Sequence, residues 1–283
     1  MKKIVTAALI AVTLSIAGCQ TSPITGRSQL MLVSEDSAIA ASRTAYTEML
    51  KPLEEKGQID NDPAVTQRVR EITERLIPHA IAYRPETEKW EWSVRVIDDP
   101  ETVNAWAMAG GKMAIYTGLI EKLEATDDEI AQVMGHEISH ALLKHTAERM
   151  SRAMAMQLGL GVFAVTQRDS GHGGLAVQGA ALAAIVALEL PNSRQAESES
   201  DRVGIELAAK AGYDPRAAVT LWQKMGKAGG NGPPQFLSTH PSPDRRTETL
   251  AGLVPQMMPF YKDKSPRPTY DLSTGQLRPT PSR

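Results

Sequence analysis

Only one cysteine, Cys19, occurs among the 283 residues. No intramolecular disulfide can form, and thiolate-rich structural zinc sites are excluded. An excess of positive charge is missing too: 31 Lys and Arg stand against 33 Asp and Glu, for a formal net charge of -2. A nucleic-acid surface needs a basic patch that this balance does not suggest. Long hydrophobic runs are also absent. Ile4 to Ile16, Met154 to Val165 and Leu175 to Leu190 are the apolar stretches, and each falls short of the ~20 residues that span a bilayer. The last two are read as buried or partly exposed helices packing by small residues, with contact to a membrane as the other reading. What remains is an ordinary globular composition, 42% hydrophobic and 23% charged. The chain is long enough for a full core in one large domain or two small ones.

The setting of the cysteine is informative. Lys2 and Lys3 precede the run from Ile4 to Ile16, the n-region and h-region of a secretory signal. Ile16-Ala17-Gly18-Cys19 resembles a bacterial lipobox. The resemblance implies a lipoprotein signal peptide over 1–18 and an envelope lipoprotein whose first mature residue, Cys19, carries the lipid. Gln20 follows in place of Asp, which implies an outer-membrane lipoprotein facing the periplasm. Residues 19–33 carry Pro, Gly, Ser and Thr and are expected to be a tether.

Two helices are expected next, one from Ser34 to Glu55 and one running through Val65, Val69, Ile72 and Leu76 to His79. Trp92, Val94 and Val96 alternate with Glu91, Ser93 and Arg95, a strand pattern. Asn104 to Ala109 supplies a further short strand, and after the Gly110-Gly111 turn Lys112, Met113, Ala114, Ile115 and Tyr116 form another. Gln167 to Gly174 reads as a polar loop, and 263–283, with its prolines and polar residues, as a flexible tail.

The chemistry is carried by His136-Glu137-Ile138-Ser139-His140. Imidazoles four residues apart on a helix lie one above the other and can reach one metal ion. Glu137 sits between them around the axis, placed to lean toward a water without being a ligand. This is the H-E-x-x-H arrangement, in which the His pair binds Zn²⁺ and the Glu acts as general base. Zinc serves because coordination brings the pKa of a water down to about 7 and polarises a scissile carbonyl. Thr126-Asp127-Asp128-Glu129 reads as a capping box that opens this helix, and Met134, Ile138, Ala141 and Leu142 form an apolar stripe on its other side.

A catalytic zinc needs a third protein ligand. His145, five residues past His140, falls beside the apolar stripe and reads as a core histidine, and Glu148 and Arg149 suit a structural ion pair. Glu197, Ser200, Asp201, Gly204, Leu207, Ala208 and Ala211 follow i, i+3, i+4, i+7 spacing as one inward stripe, whereas Glu199 groups with Arg202, Glu206 and Lys210 on a solvated face. Glu197 is therefore the expected third ligand. Asp201, one turn on, is placed to take the free ring N–H of a ligating His, His136 for preference.

His136-Glu137-x-x-His140 followed by Glu197-x-x-x-Asp201 resembles the gluzincin metalloendopeptidases that include the HtpX and BepA/LoiP proteases, the CAAX prenyl endopeptidase and the mitochondrial Oma protease. Asn104-Ala105-Trp106-Ala107, Gly110-Gly111, Ser193-Arg194, Ala211-Gly212-Tyr213-Asp214-Pro215 and Thr239-His240-Pro241-Ser242-Pro243 agree with it. Ser198 and Ser200 depart from the usual pattern without removing a ligand.

The resemblance implies an α+β, mainly helical zincin-like peptidase domain over 34–262. Its small sheet would have an edge strand flanking the H-E-x-x-H helix. It further implies one Zn²⁺ on His136, His140 and Glu197, with Glu137 as base. Lys112 to Tyr116 would be the edge on which a peptide is laid, with a plain core hairpin as the other reading. For His240 it leaves three roles open: oxyanion stabilisation, occupation of the open zinc position, or a loop residue without catalytic part. Arg246 would anchor that loop. The implied substrates are misfolded or unassembled envelope proteins. A chaperone-like assembly factor that binds unfolded segments with little turnover is the alternative.

Overall fold

The computed structural model describes residues 19–22, 24–166, 177–178, 190–228, 235–240 and 246–278. The leader expected over 1–18, the loop expected at 167–174, most of the apolar stretch after it, and Pro241-Ser242-Pro243 lie outside the described residues. In chain order the elements are β1 (Cys19–Thr21), β2 (Ser28–Leu30), α1 (Glu35–Glu54), α2 (Pro63–Tyr83), β3 (Ser93–Ile97), β4 (Ala105–Met108), β5 (Lys112–Tyr116) and α3 (Thr117–Lys122). They continue with α4 (Asp127–Leu142), α5 (His145–Thr166), α6 (Leu190–Ala211), α7 (Ala217–Lys227), α8 (Gln235–Thr239), α9 (Arg246–Lys262), β6 (Thr269–Asp271) and β7 (Gln276–Arg278). The architecture is mainly helical with small sheets. The chain forms two compact units, 1–38 with 144–192, and 39–143 with 193–283.

The larger unit is built around α4. Both halves of its capping box are made: Thr126 Oγ1 accepts from Glu129 N at 3.3 Å, and Glu129 Oε2 accepts from Thr126 N at 3.0 Å. Glu129 also accepts from Lys224 Nζ and Thr220 Oγ1, each at 2.7 Å, which ties the start of α4 to α7. At the other end the buried Arg84 guanidinium donates to Leu142 O at 2.7 Å, a cation at the negative end of the helix dipole. Lys144 then takes φ +59° and breaks the helix. His145 therefore starts α5 rather than continuing α4, so its helical phase relative to His140 does not apply.

Met134, Ile138, Ala141 and Leu142 are buried, as are His136, Glu137 and Ser139 on the other side. The central helix is thus enclosed all round. α6 crosses it through two glycines, for a Cβ on Gly204 would meet His136 N at 2.7 Å and one on Gly135 would meet Gly204 O at 2.8 Å. The two backbones touch there, right beside His136 on α4 and about two turns from Glu197 on α6. Ile205 and Ala209 of α6, Ala218 of α7, and Leu250 and Met257 of α9 form a core cluster behind this crossing.

The sheet has strand order β3-β5-β4, with β3 parallel and β4 antiparallel to β5. Lys112 to Tyr116 is therefore the central strand, not an edge. Met113, Ala114 and Ile115 are fully buried, the signature of a strand covered on both faces. The edge toward α4 is β4. Tyr116 N donates to Asn104 O, so by antiparallel alternation the N–H and C=O groups of Ala105 and Ala107 point away from β5.

Short hairpins lie within the expected tether and the expected tail. Residues 269–278 form the β6-β7 hairpin, with Tyr270 buried and Leu272 N donating to Glu74 Oε1 at 3.1 Å. Its polar composition conceals one aromatic anchor. In the smaller unit, β1 pairs with β2 in place of a free tether, and Arg27 and Gln29 bond the buried Glu148 of α5. Burying that carboxylate requires a cation, and the hairpin supplies it.

Candidate metal centre

His136 and His140 lie on adjacent turns of α4, and their Nε2 atoms are 3.0 Å apart. Glu197, carried in by α6, places Oε2 3.2 Å from His136 Nε2 and Oε1 3.3 Å from His140 Nε2. His240, following α8, places Nδ1 3.3 Å from His136 Nε2 and 3.2 Å from Glu197. Four ligand atoms about 2.05 Å from a zinc ion at tetrahedral corners stand about 3.3 Å from one another. The observed separations match that figure. Among the described residues these four side chains form the one cluster able to hold a metal, and a nitrogen and carboxylate donor set suits zinc.

Each of these side chains is itself held. His136 turns Nδ1 toward Asp201 Oδ1 at 3.0 Å. This fixes the tautomer that leaves Nε2 free for a cation. Arg246, buried at the start of α9, donates to Asp201 and to Glu197 Oε2, and its guanidinium stacks 3.6 Å over the Trp222 ring. Phe236 stacks on His240 with ring centroids 4.4 Å apart. His136, Glu137, Glu197, Asp201, His240 and Arg246 are all buried, and His140 alone is partly open.

Glu137 is oriented from the edge strand. Its Oε2 accepts from Ala107 N at 3.1 Å, while Oε1 has no hydrogen-bond partner and lies 3.3 Å from His240 Nε2. Burial pushes the Glu137 carboxyl above its ordinary value, with His240 and His136 pulling against that rise. A base so raised is closer to working pH. Burial acts the same way on Glu197 but loses, since His140 and the surrounding imidazoles hold that carboxylate far below the usual range. For His136, burial lowers the pKa and is outweighed by Asp201 and Glu197, which lift it to about 9. A cation at Nε2 therefore competes with a proton.

Residues 63–254 match the model of peptidase family M48. The chain belongs to family M48. This M48 chain is 32% identical over 256 residues to the mitochondrial metalloendopeptidase OMA1 of Bos taurus, covering 84% of this chain and 46% of that protein. It is 33% identical over 180 residues to the mitochondrial metalloendopeptidase OMA1 of Saccharomyces cerevisiae, with 61% and 50% covered. With the β-barrel assembly-enhancing protease of Escherichia coli it shares 29% identity over 212 residues, 72% of this chain and 42% of the other. The chain spans about half the length of these curated relatives.

The M48 centre thus assembles Glu137, His136, His140, Glu197, Asp201 and His240, while Lys112 to Tyr116 lies one strand away from it and Cys19 belongs to the other unit. Two contributors are not apparent from spacing. Arg246 neutralises two buried carboxylates, a role foreshadowed only by the need of Glu197 and Asp201 for a cation. Phe236, four residues before His240, had helical spacing as its sole signal.

Proposed function

We propose that this M48 protein is a zinc-dependent metalloendopeptidase of the bacterial cell envelope, anchored in the outer membrane by lipid on Cys19 and acting on misfolded or unassembled envelope proteins in the periplasm. The carrying observation is the convergence of His136, His140 and Glu197, their ligand atoms 3.0 to 3.3 Å apart, with a buried Glu137 beside them. A zinc ion held there would polarise a peptide carbonyl and acidify a water. Glu137 would take a proton from the attacking water and pass it to the leaving amine. An extended peptide would add to β4 through the outward carbonyls of Ala105 and Ala107, whose N–H groups already donate to Asn104 Oδ1 and Glu137 Oε2, and such main-chain hydrogen bonds are independent of substrate side chains. That indifference suits unfolded polypeptides. Cleavage of unfolded casein by the purified chain, abolished by chelation and restored by zinc, is the expected result. Casein held without cleavage, with or without chelator, would instead support the chaperone-like reading.

His240 favours a restrained enzyme. With Nδ1 3.3 Å from His136 Nε2 and 3.2 Å from Glu197 Oε1, it would occupy the place a substrate oxygen needs beside a bound ion. We place it as a resting occupant, so His240→Ala should raise casein turnover by about 3- to 10-fold, by lifting the penalty of a partly populated open state. A loss of turnover would assign it to the oxyanion, and no change would make it a loop residue.

A further inference from the structure

The far end of α5 has no charged residue from Ala153 to Thr166 on any face. Met154, Leu158, Val162 and Val165, spaced by three or four residues, are 38%, 60%, 64% and 65% exposed. That spacing makes them one continuous stripe. The flank beside it is open as well, since a Cβ on Gly159 or Gly161 would meet nothing within 4 Å. A helix that packs on protein keeps a charged face for water opposite its apolar seam. This one keeps none.

Its root, by contrast, is fixed by polar contacts. Glu148 accepts from Arg27 at 2.7 and 2.6 Å and from Gln29 at 3.0 Å, and Arg152 pairs with it at 2.9 Å. Ser151 Oγ accepts from Val33 N at 2.9 Å. β2 therefore runs beside the first turns of α5, and through the Cys19 to Leu30 pairing it holds the exposed Cys19 near the point where the uncharged part begins. Thirteen residues from Ala153 to Val165 extend about 20 Å, too little to span a bilayer. Among the described residues no helix is long and apolar enough to cross one.

We propose that the far end of α5 is a membrane-inserting arm that enters the lipid surface holding the acyl chains of Cys19. The occupant is lipid because the stripe, its open flank and the lipidation site all belong to one unit and because the arm lacks charge all round. The inference rests on the lipoprotein reading for this choice of occupant. Acyl chains alone leave a protein free to swivel; an inserted helix gives its unit a fixed orientation at the membrane.

The test uses the mature chain from residue 19 with Cys19→Ser, so that no acyl chain contributes. It should float with vesicles of phosphatidylethanolamine and phosphatidylglycerol, and adding Leu158→Asp and Val162→Asp should lower the bound fraction at least about tenfold. Casein turnover and melting temperature should be unchanged. Equal flotation of both proteins, or no flotation of either, overturns the arm. So does a fall in melting temperature, which would mean the chain itself covers the stripe, or a dimer that the Asp substitutions dissolve, which would make a second copy the occupant. Palmitate labelling of the full precursor at Cys19 is read separately, so absent labelling would sink the lipoprotein reading without deciding vesicle binding.

Discussion

Glu137→Gln is expected to lower casein turnover by about 10²- to 10⁴-fold while zinc content and folding persist. Glutamine has the same shape, and its side-chain oxygen can still accept from Ala107 N, now 3.1 Å from Oε2. What disappears is the capacity to hold a proton between the attacking water and the leaving amine. The ligand atoms on His136, His140 and Glu197 belong to other side chains, so their mutual distances have no reason to change. The amide also replaces a carboxylate that burial disfavours and should leave thermal stability at or above wild type. Metal analysis, a melting curve and a turnover assay on the same preparation separate these effects. Full turnover with full zinc would remove Glu137 from the reaction and return the base to another residue.

The ease with which this experiment is framed reflects what a local pattern can carry. The α4 signals all lie within one helix: a capping box, an apolar stripe and two imidazoles one turn apart. Glu197 is 57 residues beyond His140, yet its helical phase with Asp201 and Gly204 was enough to single it out. Strand order was not legible, because β5 joins a parallel partner that precedes β4 in the chain, and nothing local to either strand states that pairing. The one available clue was the unbroken Met113-Ala114-Ile115 run, which suits a strand covered on both faces better than an edge. The hairpins within 19–30 and 269–278 were hidden for a different reason. Their composition is polar, and each is held by one buried side chain, Gln29 in the first, with the half-buried Arg27 beside it, and Tyr270 in the second.

The second large effect is expected where the two halves of the centre are joined. In Gly204→Ala the new methyl would sit 2.7 Å from His136 N and 2.8 Å from His136 Cα, and both are backbone atoms. No rotamer change can relieve such a contact, so α4 and α6 must part by about 0.7 Å or more to restore ordinary packing. Glu197 and Asp201 ride on α6, while His136 and His140 ride on α4. The separations of 3.2 and 3.3 Å between Glu197 and the imidazoles would widen by a comparable amount. Zinc affinity should fall by about 10- to 100-fold, turnover by about 10²-fold through misplacement, and stability by about 1–3 kcal/mol from overpacking. Gly226→Ala is the matched control, for it lies in α7 with nothing within 4 Å of a new Cβ. Replacing that helical glycine should raise stability by up to about 1 kcal/mol and leave zinc and turnover alone. Should Gly204→Ala instead bind zinc and melt like wild type, the glycine crossing would not be what sets Glu197 against the two histidines, and the fixed spacing would have to come from Arg246 bridging Asp201 and Glu197.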